Sequence, residues 1–277
     1  MTIAPPVPYF GGKQRIAHRI ADLLPEHLHY VEPYCGGLSV LMAKTPSRIE
    51  TVNDLDEDLV TFWRVLRDQP DDLARACALT PHSRVEHRHC HDRPTAMGDV
   101  ERARRVWVQL TQGRTGTLLR TGWRFHIDPA GTTLGMSAYL DGYLARFAAA
   151  VDRLHHVSLE RRPALEVIDA YGRHDDVLLY VDPPYLGDTR TGRGYRHEMP
   201  NESDHQDLAD ALRSCRAAVV VSGYRSPLYD DLFAGWDVHE IRASTGQGSI
   251  WKDRVEVLWS NRELGAQARI DVTGGEA

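Results

Sequence analysis

The sequence predicts an α/β protein: a mainly parallel sheet built from the two ends of the chain, interrupted in the middle by a segment of different character. Three observations predict it. A strand–turn–helix–strand–helix pattern runs over residues 29–68. The pattern lapses between 68 and 150. It then resumes with continuous apolar runs, as a strand needs when both of its faces are buried.

In chain order, residues 29–33 (HYVEP) read as a short strand ending at the glycine-containing turn CGGLS, and SVLMAK continues as a helix. IETVND is a β-branched run that stops at polar residues, a second strand. DEDLVTFWRVLRD places Leu59, Phe62, Trp63 and Leu66 at helical spacing. The middle of the chain is rich in His, Arg, Thr and Gly. Helical stretches are expected near 71–79, 98–112 and 135–154, around a Gly- and Thr-rich stretch at 113–134. Within that stretch TLLRT is expected to pair with WRFHID as a β-hairpin about Gly122. Strands then follow at VSLERR (157–162), DVLLYVDPPY (176–185) and AAVVVSGY (217–224). VHEIRA (238–243) and RVEVLWSN (254–261) close the fold as antiparallel strands. The expected organisation is a first part of the α/β domain at 1–67, an insertion at 68–150, a second part at 151–270 and a flexible tail at 271–277.

With 277 residues, of which 42% are hydrophobic, the chain suits one globular domain with a large insertion. No stretch approaches the roughly 20 apolar residues of a membrane span. MTIAPPVPYF lacks the basic and apolar regions of a signal peptide, so a cytoplasmic location without a membrane partner is expected. The scattered Cys35, Cys77, Cys90 and Cys215 form no C-x-x-C pair and read as free thiols. HSRVEHRHCH (82–91) matches no standard zinc spacing, and no metal is expected. A net charge of −6 excludes a histone-like binder but not a local basic surface. Between Arg104 and Phe125 lie five arginines (Arg104, Arg105, Arg114, Arg120 and Arg124) and no acid, which by itself reads as a solvated basic face.

Four motifs carry chemistry. Asp182-Pro183-Pro184-Tyr185 ends a predicted central strand, the edge where open α/β sheets bind ligands. Asp182 and the Pro183 carbonyl are acceptors, the two prolines stiffen the turn, and Tyr185 offers an aromatic face. Together they suit a planar ring bearing an exocyclic amino group; a merely rigid strand-to-loop turn is the plainer alternative. Val31-Glu32-Pro33-Tyr34-Cys35-Gly36-Gly37 leads from a strand through glycines to a helix N-terminus, which serves either a ligand or an ordinary connection. Asp54 ends the second strand 18 residues after Gly36, suiting a ribose hydroxyl pair, while a helix N-cap supplied by Asp54 or Asp56 is the alternative. Tyr9, Phe10, Gly11, Gly12 and Lys13 could cradle a carboxylate or form a plain N-terminal turn; they lack the spacing of a phosphate-binding P-loop.

Taken together and in this order, PYFGGK, VEPYCGG, NDLDEDL, an insertion and DPPY resemble the Dam-type (class D12, alpha-group) DNA adenine-N6 methyltransferases. DHQDLADAL, VVVSGYRSPLYDDLF and RVEVLWSN extend the likeness. The family usually has Trp or a similar aromatic where Tyr9 stands, and the insertion resembles it only loosely. The resemblance implies a Rossmann-like sheet with S-adenosylmethionine at its C-terminal edge and a target-recognition domain as the insertion. It implies cofactor contacts from Tyr9, Lys13, Glu32, Pro33, Cys35, Gly36, Gly37, Asp54 and Asp182, and catalysis by Asp182, Pro183, Pro184 and Tyr185. Double-stranded DNA is the implied partner. Arg114, Arg120 and Arg124 are assigned to it, together with Arg190 and Arg193 of a mobile loop at 187–199 that would close over a flipped base. No nuclease motif is present, so a cognate restriction enzyme would be a separate chain.

Other readings are weaker. Cytosine-N4 enzymes usually resemble S-P-P-Y and glutamine enzymes N-P-P-Y, an RNA substrate lacks a signature of its own, a silent DNA-binding relative has no need of DPPY with GGK, and an oxidoreductase needs G-x-G-x-x-G.

Overall fold

The computed structural model describes residues 3–92, 94, 96–125, 135–186, 194–245 and 252–265. The run VLLYV forms β4 (Val177–Val181), and all five residues are buried, because this strand lies in the middle of the sheet. Alternation along it feeds two cores. Val177, Leu179 and Val181 pack on one side with Val31, Val219 and Val221, whereas Leu178 and Tyr180 pack on the other with Tyr30, Ala218 and Val220.

It pairs with β1 (His29–Glu32) on one side and β5 (Ala218–Gly223) on the other, and beyond β1 follow β2 (Ile49–Asn53) and β3 (Val157–Glu160), all parallel. The last two strands, β6 (Asp237–Thr245) and β7 (Lys252–Ser260), pair antiparallel with each other, and β7 slots antiparallel against β5. The order is β3-β2-β1-β4-β5-β7-β6, one seven-stranded sheet. The chain leaves β1 in one direction to β2 and β3 and returns on its other side as β4. The carboxyl ends of β1 and β4 therefore border the topological switch point, where α/β sheets bind ligands.

The helix α1 (Ala17–Leu23), the short α2 (Ser39–Ala43) and α3 (Glu57–Asp68) bury residues in the first core, with Phe62 and Trp63 of α3 fully buried. The middle segment contributes α4 (Pro70–Ala78), α5 (Arg84–His89), α6 (Asp99–Gln112), α7 (Met136–Leu144) and α8 (Phe147–Leu154). Leu73, Trp107, Phe147 and Leu154 of these helices share the first core with the sheet. A buried ion cluster ties α8 down: Arg153 donates to both carboxylate oxygens of Glu50 on β2, which also accepts from Lys44 Nζ at 2.7 Å. The second core lies under α9 (Ala164–Tyr171), α10 (Glu202–Arg213) and α11 (Pro227–Leu232).

The structure departs from expectation in four places. The stretch 135–154 is two helices, parted at Ala145–Arg146, where Arg146 turns to donate to the Pro5 carbonyl at 3.0 Å. Among the described residues TLLRT does not pair with WRFHID. Instead Gly113 bridges Trp123, Arg114 N donates to the Gly122 carbonyl and Arg124 N to that of Gln112. The reversal falls at Gly116 (φ +62°), because Thr117 and Leu118 turn inward and are buried rather than paired. Residues 126–128 of WRFHID lie outside the described residues. The basic run is also partly cancelled. Glu101, one helical turn earlier, binds Arg104 at 2.6 Å and Arg105 at 2.7 Å, since the helix brings i, i+3 and i+4 together. The loop 187–199 is anchored over its second half: Thr117 Oγ1 donates to the Gly194 carbonyl and Arg196 Nη1 reaches Asp58 at 2.6 Å. Residues 187–193, with Arg190 and Arg193, and the tail 271–277 lie outside the described residues.

All four cysteines are free, and among the described residues no helix is long and apolar enough to cross a membrane.

Candidate active site

A cavity of about 340 Å³ opens at the carboxyl ends of β1, β2 and β4. Its walls come from residues far apart in sequence: Tyr9 to Lys13, Glu32 to Gly37, Asn53 to Asp56, Asp182, Pro184 and Tyr195 to Met199. Glu32 to Gly37, Asn53 to Asp56 and Asp182 with Pro184 are delivered by strand ends and the turns after them, where the backbone leaves the sheet. Tyr9 to Lys13 come instead from the N-terminal loop before α1, and Tyr195 to Met199 from the segment before α10.

The turn after β1 is shaped by Gly36, whose φ of +46° suits glycine. What approaches these glycines is the Tyr9 ring: a Cβ on Gly36 would meet Tyr9 Cε1 at 2.9 Å, and one on Gly37 would meet Tyr9 Cβ at 2.7 Å. The Cys35 amide donates to the Asn53 carbonyl at 2.8 Å, and Asn53 Nδ2 donates to the Pro33 carbonyl at 2.9 Å, tying this turn to β2. The thiol of Cys35 is buried and pushed above its usual range by that burial.

Two carboxyls face the cavity from adjacent strands. Glu32, only 2% exposed, accepts from Tyr30 Oη at 2.7 Å and from the Leu41 amide at 3.0 Å. Burial pushes its carboxyl up to about 8 despite those hydrogen bonds. Asp54 accepts from the Gly36 amide at 3.1 Å and the Asp56 amide at 2.9 Å, and burial lifts it to about 6. The N-cap of α3 is Asp56, which accepts from the Asp58 and Leu59 amides. In both acids burial, which disfavours the charged form, is the chief cause.

Asp182 follows β4, its side chain 21% exposed. Lys13 Nζ donates to its Oδ1 at 2.9 Å, and Tyr185 Oη stands 3.0 Å from the same oxygen. Among the described residues Oδ2 accepts no hydrogen bond. Burial drives the Asp182 carboxyl up; Lys13 opposes this, and the net direction is upward. Burial would pull the Lys13 ammonium down, but Asp182 and Glu256 outweigh it and hold it well above its usual range. Lys13 thus sits beside Asp182 and over the Tyr185 ring, 4.8 Å from its centroid. Tyr185 Oη accepts from Lys13 Nζ and donates to Glu256 Oε1, 2.7 Å away, and its ring meets Tyr224 edge-on at 4.8 Å.

Several residues in or behind the cavity wall escape motif reading. Tyr195 stacks near Tyr9 and edge-on to Phe10, with centroids 6.1 and 5.4 Å apart. Arg196 spans Asp56, Asp58, the Leu118 carbonyl and Gln109, welding α3, α6 and the 113–122 turn beside the cavity. Buried Glu256 on β7 accepts from Ser222 Oγ at 2.6 Å. A charged residue amid the apolar strand RVEVLWSN was the signal for Glu256; Tyr195 and Arg196 carry none, because their partners are more than 70 residues away.

Of the arginines assigned to DNA, Arg114 and Arg120 are exposed. Arg124 is spent on the Gly113 and Arg114 carbonyls at 3.2 and 3.1 Å and lies over the Tyr139 ring. Beside them Arg84 covers Trp123, which stacks on His82 with centroids 4.3 Å apart.

The family model described as D12 class N6 adenine-specific DNA methyltransferase matches residues 9–110 and 143–246. The chain belongs to this family. Its methyl donor is S-adenosylmethionine, and the acidic cavity fits that cationic ligand, with Glu32 and Asp54 able to hold it. Two relatives run the length of the chain. The Type II methyltransferase M1.LlaDCHI of Lactococcus lactis subsp. cremoris is 24% identical over 272 residues, 93% of this chain and 94% of its own. The Type II methyltransferase M.MjaIII of Methanocaldococcus jannaschii is 22% identical over 271 residues, 88% of this chain and 92% of its own. Among solved structures, the rRNA methyltransferase aviRa from Streptomyces viridochromogenes aligns over 99% of this chain and 91% of its own, at 16% identity and a TM-score of 0.37.

Proposed function

We propose that this D12-class protein methylates the exocyclic N6 of an adenine flipped out of duplex DNA at a specific sequence. One observation carries the reading. Asp182, whose Oδ2 accepts no hydrogen bond among the described residues, follows β4 and lines the acidic cavity suited to the methyl donor. The N6 lone pair is delocalised into the ring and nucleophilically weak. Asp182 Oδ2 and the Pro183 carbonyl accept its two N–H hydrogens, favouring a pyramidal nitrogen. As the N–C bond forms, the bond between the methyl carbon and sulfur breaks, its electron pair staying with the thioether that departs. Positive charge grows on N6 next to a carboxylate that stabilises it, and the N6 proton passes to Asp182 and on to solvent. In-line placement of the two reactants supplies much of the rate. Cys35, buried and with its thiol raised, has no nucleophilic part to play.

In this reading adenine reaches the site only by flipping, and stacks against Tyr185. Residues 68–150 serve as the target-recognition segment. Arg114 and Arg120 contact the duplex, and Arg124 braces the turn that carries Arg114. Arg190 and Arg193, which lie outside the described residues, are assigned to DNA from the sequence, and a cognate restriction enzyme acts as a separate partner. The protein is tested on mixed-sequence duplex DNA with S-adenosylmethionine, the modified bases being identified by mass spectrometry. N6-methyladenine is expected, and Asp182→Ala is expected to lower its formation by at least about 100-fold in a folded protein. N4-methylcytosine, product confined to RNA, or near-normal turnover by Asp182→Ala overturns the reading.

A further inference from the structure

The buried carboxylate of Glu256 has no place in the chemistry above. It lies on β7, 4% exposed, on the face where Leu258 joins the apolar core. An unpaired charge there costs several kcal/mol, so its partners define its purpose. It accepts from Ser222 Oγ at 2.6 Å and Tyr185 Oη at 2.7 Å, and Lys13 Nζ stands 3.5 Å away. Lys13 and Tyr185 are the two groups that reach Asp182, both at Oδ1; Lys13 donates to it, while the single hydroxyl proton of Tyr185 goes to Glu256, its nearer acceptor.

We infer that Glu256 is a positioning residue for methyl transfer: it takes the Tyr185 hydroxyl proton and draws the Lys13 ammonium to the Oδ1 side of Asp182, so that the other oxygen is presented to the substrate amino group. The inference rests on the reading of Asp182 as the amino-group acceptor. Its geometry explains why a charge is placed within an apolar strand. Without Glu256, Lys13 is free to move across to Oδ2 and Tyr185 loses its acceptor. Asp182 is then neutralised by an ammonium that no second carboxylate shares. Glu256 also acts on Asp182 electrostatically, as a like charge. The groups facing the pair are Lys13 from the N-terminal loop, Glu32 on β1, Tyr180 on β4, Tyr185 beyond it, Ser222 on β5 and Tyr195.

The test compares wild type, Glu256→Gln and Glu256→Asp in single-turnover methylation of duplex DNA across pH 5–9, with S-adenosylmethionine affinity measured by calorimetry. Glu256→Gln is expected to lower the methylation rate about 10- to 100-fold, the usual loss when an orienting outer carboxylate is removed. The loss in rate is expected to persist at saturating cofactor, and the acid limb of the rate profile to move to lower pH, since a like charge near Asp182 has gone. Glu256→Asp keeps the charge but draws it back by one methylene. It is expected to react at an intermediate rate with the acid limb near its original place, and it decides the matter if the glutamine variant does not fold. Wild-type rate and an unmoved acid limb in Glu256→Gln, or full wild-type rate in Glu256→Asp, overturn the inference while leaving Asp182 in its role. Absence of N6-methyladenine with the wild-type protein instead refutes the underlying reading.

Discussion

Replacing Glu32 by glutamine should stabilise the ligand-free protein while weakening its hold on S-adenosylmethionine. The glutamine keeps an oxygen to accept from Tyr30 Oη and the Leu41 amide, so the two hydrogen bonds of 2.7 and 3.0 Å survive. What disappears is an acid whose carboxyl is pushed by burial from an ordinary 4.5 to about 8. The folded, ligand-free chain therefore holds this proton more tightly than the unfolded chain. Its Glu32 contribution to stability is fully present below pH 4.5 and is lost progressively as the pH rises through about 8. At about 1.4 kcal/mol per pH unit between the two values, the loss is roughly 3 kcal/mol at pH 7 and nearer 5 kcal/mol above pH 9. Water entering the open cavity and local relaxation reduce this to about 1–2 kcal/mol at pH 7–8. In a protein of this size that corresponds to roughly 2–8 °C in Tm. The assay is thermal unfolding of wild type and Glu32→Gln without cofactor from pH 5 to 8.5, where all other titrations cancel in the difference. The Tm difference should be near zero at pH 5 and grow in favour of the variant as pH rises. Calorimetry at pH 8 should show the variant binding S-adenosylmethionine at least about tenfold more weakly, as expected when one cation-binding charge is lost. A Tm difference that is flat across this range, or that favours wild type at pH 8, would falsify the account of Glu32.

Other perturbations probe the rest of the site. Lys13→Ala and Asp54→Ala should each weaken S-adenosylmethionine binding by calorimetry; unchanged affinity in both refutes their assignment to the cofactor. Gly36→Ala forces a side chain onto a φ of +46° and into the Tyr9 ring, so it should cost about 1–3 kcal/mol and lower Tm measurably, whereas an unchanged Tm contradicts the packing. Exposed Arg114 and Arg120, if they meet phosphates, should each lower the salt slope of DNA binding by about one when changed to alanine. Arg124→Ala should instead loosen the 112–124 pairing that its guanidinium clasps, read as faster amide exchange there. Wild-type affinity, specificity and salt slope in all three variants would move the DNA surface elsewhere.

The strands were legible because their period is short and their burial two-sided: DVLLYVDPPY and AAVVVSGY admit little besides central strands. The motif ends were legible for a related reason, since a residue that follows a strand of an open α/β sheet must emerge at its ligand-binding edge. Hence Glu32, Asp54 and Asp182 could be assigned to one side of the molecule before any coordinates were known. Tertiary structure alone decided how they meet. The choice between Asp54 and Asp56 as helix cap turned on which carboxylate reaches the amides of Asp58 and Leu59. The hairpin was misplaced because Thr117 and Leu118 found burial against the second half of the 187–199 loop, which no local pairing rule anticipates. The basic run lost part of its charge to Glu101 through helical periodicity, a cancellation hidden by counting along the chain. Above all, Lys13, Asp182, Tyr185, Ser222 and Glu256 come together from an N-terminal loop, the turn after β4, β5 and β7. Their shared electrostatics depends on strand order, and strand order follows from long-range pairing and the packing of two cores rather than from any local pattern.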